Sequence, residues 1–154
     1  MKTLNNYINE ALIKKDTKIK PYKYFPKDRD ELYDLLKELL KERGKDADLN
    51  DIDTSAITNM SNLFYHLDPH NIDISGWDVG NVEKMYAMFG DRKNFNSDLS
   101  HWNVSNVQDM RYMFCNCQKF NSDLSTWNVS KVKNMEYMFA GCTSLINKPN
   151  WYKK

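Results

Sequence analysis

The chain has 154 residues, one domain's worth, with 41% hydrophobic and 28% charged residues, a balance that folds rather than staying disordered. Its 22 Lys and Arg against 21 Asp and Glu exclude a binder of nucleic acid or membrane that works mainly through charge, because both need a large basic surplus. Three cysteines exclude a dense disulfide framework, and no window approaches the length of a transmembrane helix.

Residues 1–47 carry no period and are expected to form an N-terminal helical cap. Met1 to Glu10 lack the uninterrupted apolar stretch of a signal peptide, so the chain reads as unexported and cytoplasmic by default. Leu4, Tyr7, Ile8, Ala11 and Leu12 predict an amphipathic helix over about 4–15. The Lys14, Lys15, Lys18, Lys20 and Lys23 group, broken by Asp16, reads as a solvated face. Pro21 and Pro26, with Tyr22, Tyr24 and Phe25 between them, predict an extended connector. A second helix follows over 28–43. Asp28 is placed to cap it, Glu31 stands three residues on, and Gly44 can end it. Its Leu32, Leu35, Leu36, Leu39 and Leu40 share one face, expected to cover the next segment near Leu49, Ile52 and Ile57.

From Asp48 onward the chain repeats every 25 residues. Trp77, Trp102 and Trp127 fall in register, as do Met60, Met85, Met110 and Met135; Met88, Met113 and Met138; Phe64, Phe89, Phe114 and Phe139; and Val82, Val107 and Val132. A fixed period of this size marks a repeat architecture, and gives four units at 48–72, 73–97, 98–122 and 123–146. In Val107, Met110, Met113, Phe114 and Cys117 the spacing suits a short helix, with Ser105 and Gln108 as a capping box; Ser55, Ser130 and Gly80 hold the same cap place. Leu99 to Val104 suit an extended half, with Trp102 and Val104 alternating about Asn103. The expected fold is an α/β solenoid like the leucine-rich repeat: four strand-plus-short-helix units in a parallel stack. Its core is a set of ladders: Trp77, Trp102 and Trp127; Met85, Met110 and Met135; Phe89, Phe114 and Phe139; with Asn96 and Asn121 as a polar pair. Residues 147–154 form the tail, where Lys148-Pro149-Asn150-Trp151 is expected to blunt the open edge.

The pattern W-N-V-S-N-V-x-x-M-x-x-M-F-x-x-C-x-x-F-N-S-D-L-S over residues 48–146 resembles the 25-residue repeat of BspA-like leucine-rich-repeat surface proteins, a bacterial domain family of unknown function. That resemblance implies a leucine-rich-repeat-like fold and binding to proteins, including host extracellular-matrix proteins, in adhesion or coaggregation. This chain departs from the surface-protein pattern in its lack of a signal peptide and anchor and in its few repeats.

Candidate sites each have an ordinary reading beside a functional one. Asn71, Asn96 and Asn121 could be a recognition row, but asparagines that bond backbone in turns are preferred. Asp48, Asp73, Asp98 and Asp123 could bind a cation, but local turn bonds are preferred. His66 and His70 have a metal-like spacing, but Pro69 puts them in a loop without an organised third ligand. Cys117 and Cys142 share one repeat place and read as stacked buried thiols; Cys115-x-Cys117 is too short and isolated for redox chemistry. No nucleophile is tied to a His by a recognisable motif, and no glycine-rich phosphate loop exists. No catalytic residue, metal or cofactor is therefore assigned.

The outward columns remain: Gly76, His101 and Thr126, then Asp78, Asn103 and Asn128. Tyr112 and Tyr137 either form an exposed aromatic strip, as protein interfaces favour, or simply cover the flank of the stack. The expected function is a non-enzymatic protein-protein interaction module with a protein partner of unknown identity, without nucleic acid or membrane insertion, monomeric or weakly self-associating end to end. The alternative is a structural unit that stacks on copies of itself; a metal-dependent enzyme ranks last.

Overall fold

The structure, a computed structural model, describes residues 22–153; the helix expected over about 4–15 lies outside them. Within the described residues one helix forms, α1 (Arg29–Arg43). Asp28 starts it: extended at φ −148°, it accepts from the N–H groups of Asp30 and Glu31 at 3.0 and 2.9 Å. Those are two of the donors that a helix start leaves without an internal partner. Gly44, at φ +89°, stops it and sends its N–H back to the Leu40 carbonyl at 3.0 Å. Leu32, Leu35, Leu36 and Leu39 are buried in one core with Leu49, Ile52 and Ile57 of the first repeat.

The α/β solenoid expected from the period does not form. Among the described residues there is no sheet. The β-type pairings are isolated parallel bridges: Tyr24 with Ile52, Asp48 with Asp73, and the series Asn59, Lys84, Asp109 and Asn134. Nor does the stretch from Val107 to Cys117 coil into a helix. Its amide groups divide by alternation. Met113, Cys115 and Cys117 donate three residues back, to Met110, Tyr112 and Phe114, at 3.3, 3.0 and 3.0 Å. Met110, Tyr112, Phe114 and Asn116 donate to the next unit, to Asn134, Glu136, Met138 and Ala140, at 2.9, 3.0, 3.0 and 2.6 Å. A helix needs every N–H to reach four residues back; here the carbonyls three residues back and those of the next unit accept them instead.

The backbone reverses at left-handed residues. Asn62, Ala87, Tyr112 and Tyr137 occupy one repeat place at φ between +47° and +57°, and Asp91, Asn116 and Gly141 a second at +60° to +72°. Each stands third in a four-residue turn, where a type II turn requires positive φ. The extended half is likewise a turn, Trp102 donating to Leu99 and Val107 to Val104 at 3.1 and 3.0 Å. The serines assigned as helix caps are turn donors: Asn103 Oδ1 accepts from Ser105 N–H and Oγ–H at 3.2 and 2.7 Å, and Asp53 does the same for Ser55.

What the period does build is a stack of turn units in 25-residue register, with side-chain ladders through its centre. Phe64, Phe89, Phe114 and Phe139 stack at centroid spacings of 5.1, 5.6 and 5.7 Å. Trp77 lies parallel to Trp102 at 6.4 Å, and Trp127 to Trp151 at 6.3 Å. Each indole N–H crosses to a carbonyl of the preceding unit: Trp77 to Leu49, Trp102 to Ile74, Trp127 to Leu99 and Trp151 to Leu124, at 2.8–3.1 Å. A buried indole thus finds its acceptor. Met85 and Met110 are fully buried, whereas Met135 is only partly covered at the C-terminal end.

Candidate functional site

Asp78, Asn103 and Asn128 are all exposed, and each uses a side-chain oxygen to hold its own turn. Asp78 accepts from Gly80 N–H at 2.9 Å and Asn128 from Ser130 N–H at 3.1 Å, as Asn103 does from Ser105. What these residues offer outward is the remaining carboxylate or amide edge. In the neighbouring column His101 and Thr126 are exposed, and Thr126 Oγ1 donates to the Ser100 carbonyl at 3.1 Å. Gly76 heads that column; its N–H meets Asn50 Oδ1 at 2.7 Å, and a Cβ there would lie 2.9 Å from the same oxygen.

Tyr112 and Tyr137 stack on each other at 5.2 Å with rings 16° apart, and Tyr137 is 58% exposed. The strip extends further than the sequence indicated. Tyr86 meets Tyr112 edge-on at 5.9 Å. Arg111 lies 5.3 Å over the Tyr86 ring, held by Asp109 through Nε at 3.0 Å and Nη2 at 2.7 Å. The period gives no sign of Tyr86 and Arg111, because they share a repeat place yet differ in type. The signal available was Asp109-x-Arg111, one carboxylate two residues before a guanidinium.

The aspartate column is spent on local bonds. Asp48 accepts from Asn50 N–H, Asp73 from Ser75, Asp98 from Ser100 and Asp123 from Ser125, at 2.9–3.1 Å. Bonds from Asn50 and Ser75 hold the Asp73 carboxyl below the ordinary carboxylate range; Ser100 does so for Asp98 and Ser125 for Asp123. Asn96 Oδ1 accepts from Asn121 N–H at 2.9 Å, tying neighbouring units together. His66 is exposed against the Tyr65 ring, while His70 is partly buried with Nε2 3.8 Å from Asp68. Among the described residues no three His, Cys, Asp or Glu side chains gather as a metal site would require. The Cys117 and Cys142 thiols donate to the Phe89 and Phe114 carbonyls at 3.0 and 2.9 Å. Burial pushes both thiols up, Cys142 to about 11, which leaves them poor nucleophiles.

The geometry defines a protein of stacked 25-residue turn units, tied edge to edge by backbone amides and presenting polar columns and a tyrosine strip. A family model described as "Mycoplasma protein of unknown function, DUF285" matches residues 34–151, and the chain belongs to that family. No curated protein and no solved structure matches it. No helix among the described residues is long and apolar enough to cross a membrane.

Proposed function

We propose that this chain is a non-enzymatic protein-protein interaction module of the BspA-like repeat type, which presents a rigid lateral surface to a protein partner. Adhesion or host-protein binding enters from the resemblance of the repeat alone. The observation that carries the reading is the stacked pair of Tyr112 and Tyr137, partly or largely exposed, on backbone at φ +57° and +55°. The left-handed region disfavours a residue with a bulky side chain by about 1–2 kcal/mol. Asn62 and Ala87 stand at the same repeat place, so the turn itself does not need an aromatic ring. Strain accepted for exposed rings is a reason to look for a binding role, and Tyr is among the residues that anchor interfaces. The polar columns of Asp78, Asn103 and Asn128, and of His101 and Thr126, supply specific contacts beside it.

The test is capture from an extract of the source organism, with the native chain and a Tyr112→Ser, Tyr137→Ser, His101→Ala variant as baits. A partner held by the first and lost by the second supports the proposal; equal capture by both contradicts it. End-to-end self-stacking draws less support, because α1 covers the first unit. Arg29 there donates to the Ser61 and Asn62 carbonyls at 2.6 and 3.4 Å.

A further inference from the structure

Each unit is joined to its neighbours on both sides by a repeated set of bonds. Glu83, Gln108 and Lys133 each donate to the unit before, at Thr58, Glu83 and Gln108, all at 2.8 Å. Met60, Met85 and Met110 each donate to the unit after, at Lys84, Asp109 and Asn134. The last unit has the same groups, and no described unit lies against them. Among the described residues the Lys133 carbonyl and the N–H groups of Met135, Tyr137 and Gly141 have no backbone partner, although their counterparts in the third unit all do. The tail covers the other half of this end. Trp151 stacks on Trp127, and Tyr152 packs edge-on to Phe139 at 5.0 Å and bonds its backbone.

Between tail and turn lies a groove of about 730 Å³, bounded by Lys133, Met135, Glu136, Tyr137, Lys148 and Lys153 among others. Three lysines and one glutamate line it; Lys133 Nζ donates to Gln108 Oε1 at 3.0 Å, and Lys148 Nζ lies 5.5 Å over the Tyr152 ring. Val132 and Met135 are only partly covered, where Val107 and Met110 are buried.

We propose that this groove binds an acidic peptide segment of a partner protein. The segment follows the turned course of Lys133–Gly141, as each unit follows its neighbour, and adds one more backbone rung. Its N–H meets the Lys133 carbonyl, its next carbonyls meet Met135 and Tyr137, and an apolar side chain covers Met135. Added backbone pairing supplies affinity, and side chains select the partner; carboxylates opposite Lys133, Lys148 and Lys153 select an acidic one. A second copy does not fit. Twofold pairing would set two antiparallel edges of mostly N–H donors against each other, and the opposite end of the stack is covered by α1. The site shares Tyr137 with the tyrosine strip but uses its backbone amide, together with the lysines, and does not rest on the role proposed for the rings.

The experiment is an amide-resolved NMR titration of the full chain with two blocked synthetic peptides of about ten residues, one alternating Glu and Val, the other Lys and Val. The expected result is saturable shifts at Met135, Tyr137 and Gly141 with slowed amide exchange there. The basic peptide should bind at least about tenfold more weakly, and Lys133→Glu, Lys148→Glu should weaken the acidic one to a similar extent. Equal binding of both peptides overturns the proposal, as do shifts confined to Asn103 and Asn128 or no shift at millimolar acidic peptide. Concentration-dependent dimerisation that protects these same amides also overturns it. A thermal melt of the double variant separates lost binding from lost folding; only a small shift is expected, because both lysines are exposed and lose one surface bond to Gln108 and one contact with the Tyr152 ring.

Discussion

Tyr112 shows why single positions decide this structure. Its residue type favours neither a turn nor φ +57°, and nothing in its neighbours betrays the reversal. The inward spacing of Val107, Met110, Met113, Phe114 and Cys117 is shared by a helix and by turns that close every third residue, so the pattern found the buried residues and misassigned the backbone. The left-handed places yield a direct test. Ala87→Gly, at φ +47°, should stabilise the fold by roughly 0.5–1 kcal/mol in urea melts. Gly141→Ala should destabilise it, because φ is +72° and the new Cβ would clash with Asn116 Oδ1. Within the ladders, Met110→Ala should cost about 2–5 kcal/mol, and exposed His101→Ala about 0.5 kcal/mol at most. Equal small effects would mean that the ladder register is wrong. Thiol labelling of the folded chain should modify Cys115, which is partly exposed, well before Cys117 and Cys142.

At the scale of elements, α1 was readable because all its signals agree: a capping aspartate, five leucines on one face and a closing glycine. The repeat units were half readable. Their length, register and buried positions followed from the period. Their turn chemistry did not, because Asp98-x-Ser100 and Asn103-x-Ser105 also match the ordinary signature of a helix start. The joint between α1 and the first unit depends on Arg43. It grips Asp51 through two bonds of 2.9 and 3.0 Å and also reaches the Asp48 carbonyl and the Tyr24 hydroxyl. Burial alone would raise the Asp51 carboxyl; the bonds from Arg43, with Lys23 nearby, more than offset it and leave it below the ordinary value. A carboxyl lowered in the folded state contributes stability above its unfolded pKa and loses that contribution as pH falls through the folded one. Stability should therefore decline on acidification below the ordinary aspartate range, followed by chemical denaturation at several pH values. Asp51→Asn should be less stable at neutral pH and lose less on acidification. A parallel loss in both proteins would remove the Arg43–Asp51 pair from this account.

The whole molecule is a stack whose two ends differ. One is closed by α1 and Arg29; the other is half closed by Trp151 and Tyr152 and, among the described residues, leaves the amides of Met135, Tyr137 and Gly141 without a backbone partner. The candidate surface was legible in the sequence as columns in register, since side chains 25 apart line up whatever the backbone between them does. The Tyr86–Arg111 contact and the groove beside Lys133 were not, because both arise between units that only the fold brings together. The central claim is that each inner unit divides its amides between its own turns and the units on either side, with the run after each repeat methionine bonding to the following unit. Amide-resolved hydrogen exchange on the full chain tests it most directly. The account predicts slow exchange at Met85, Ala87, Phe89, Met110, Tyr112 and Phe114, and fast exchange at their last-unit counterparts Met135 and Tyr137. Helix-like protection running without interruption from Val107 to Cys117, or equal protection in the last unit, would contradict it.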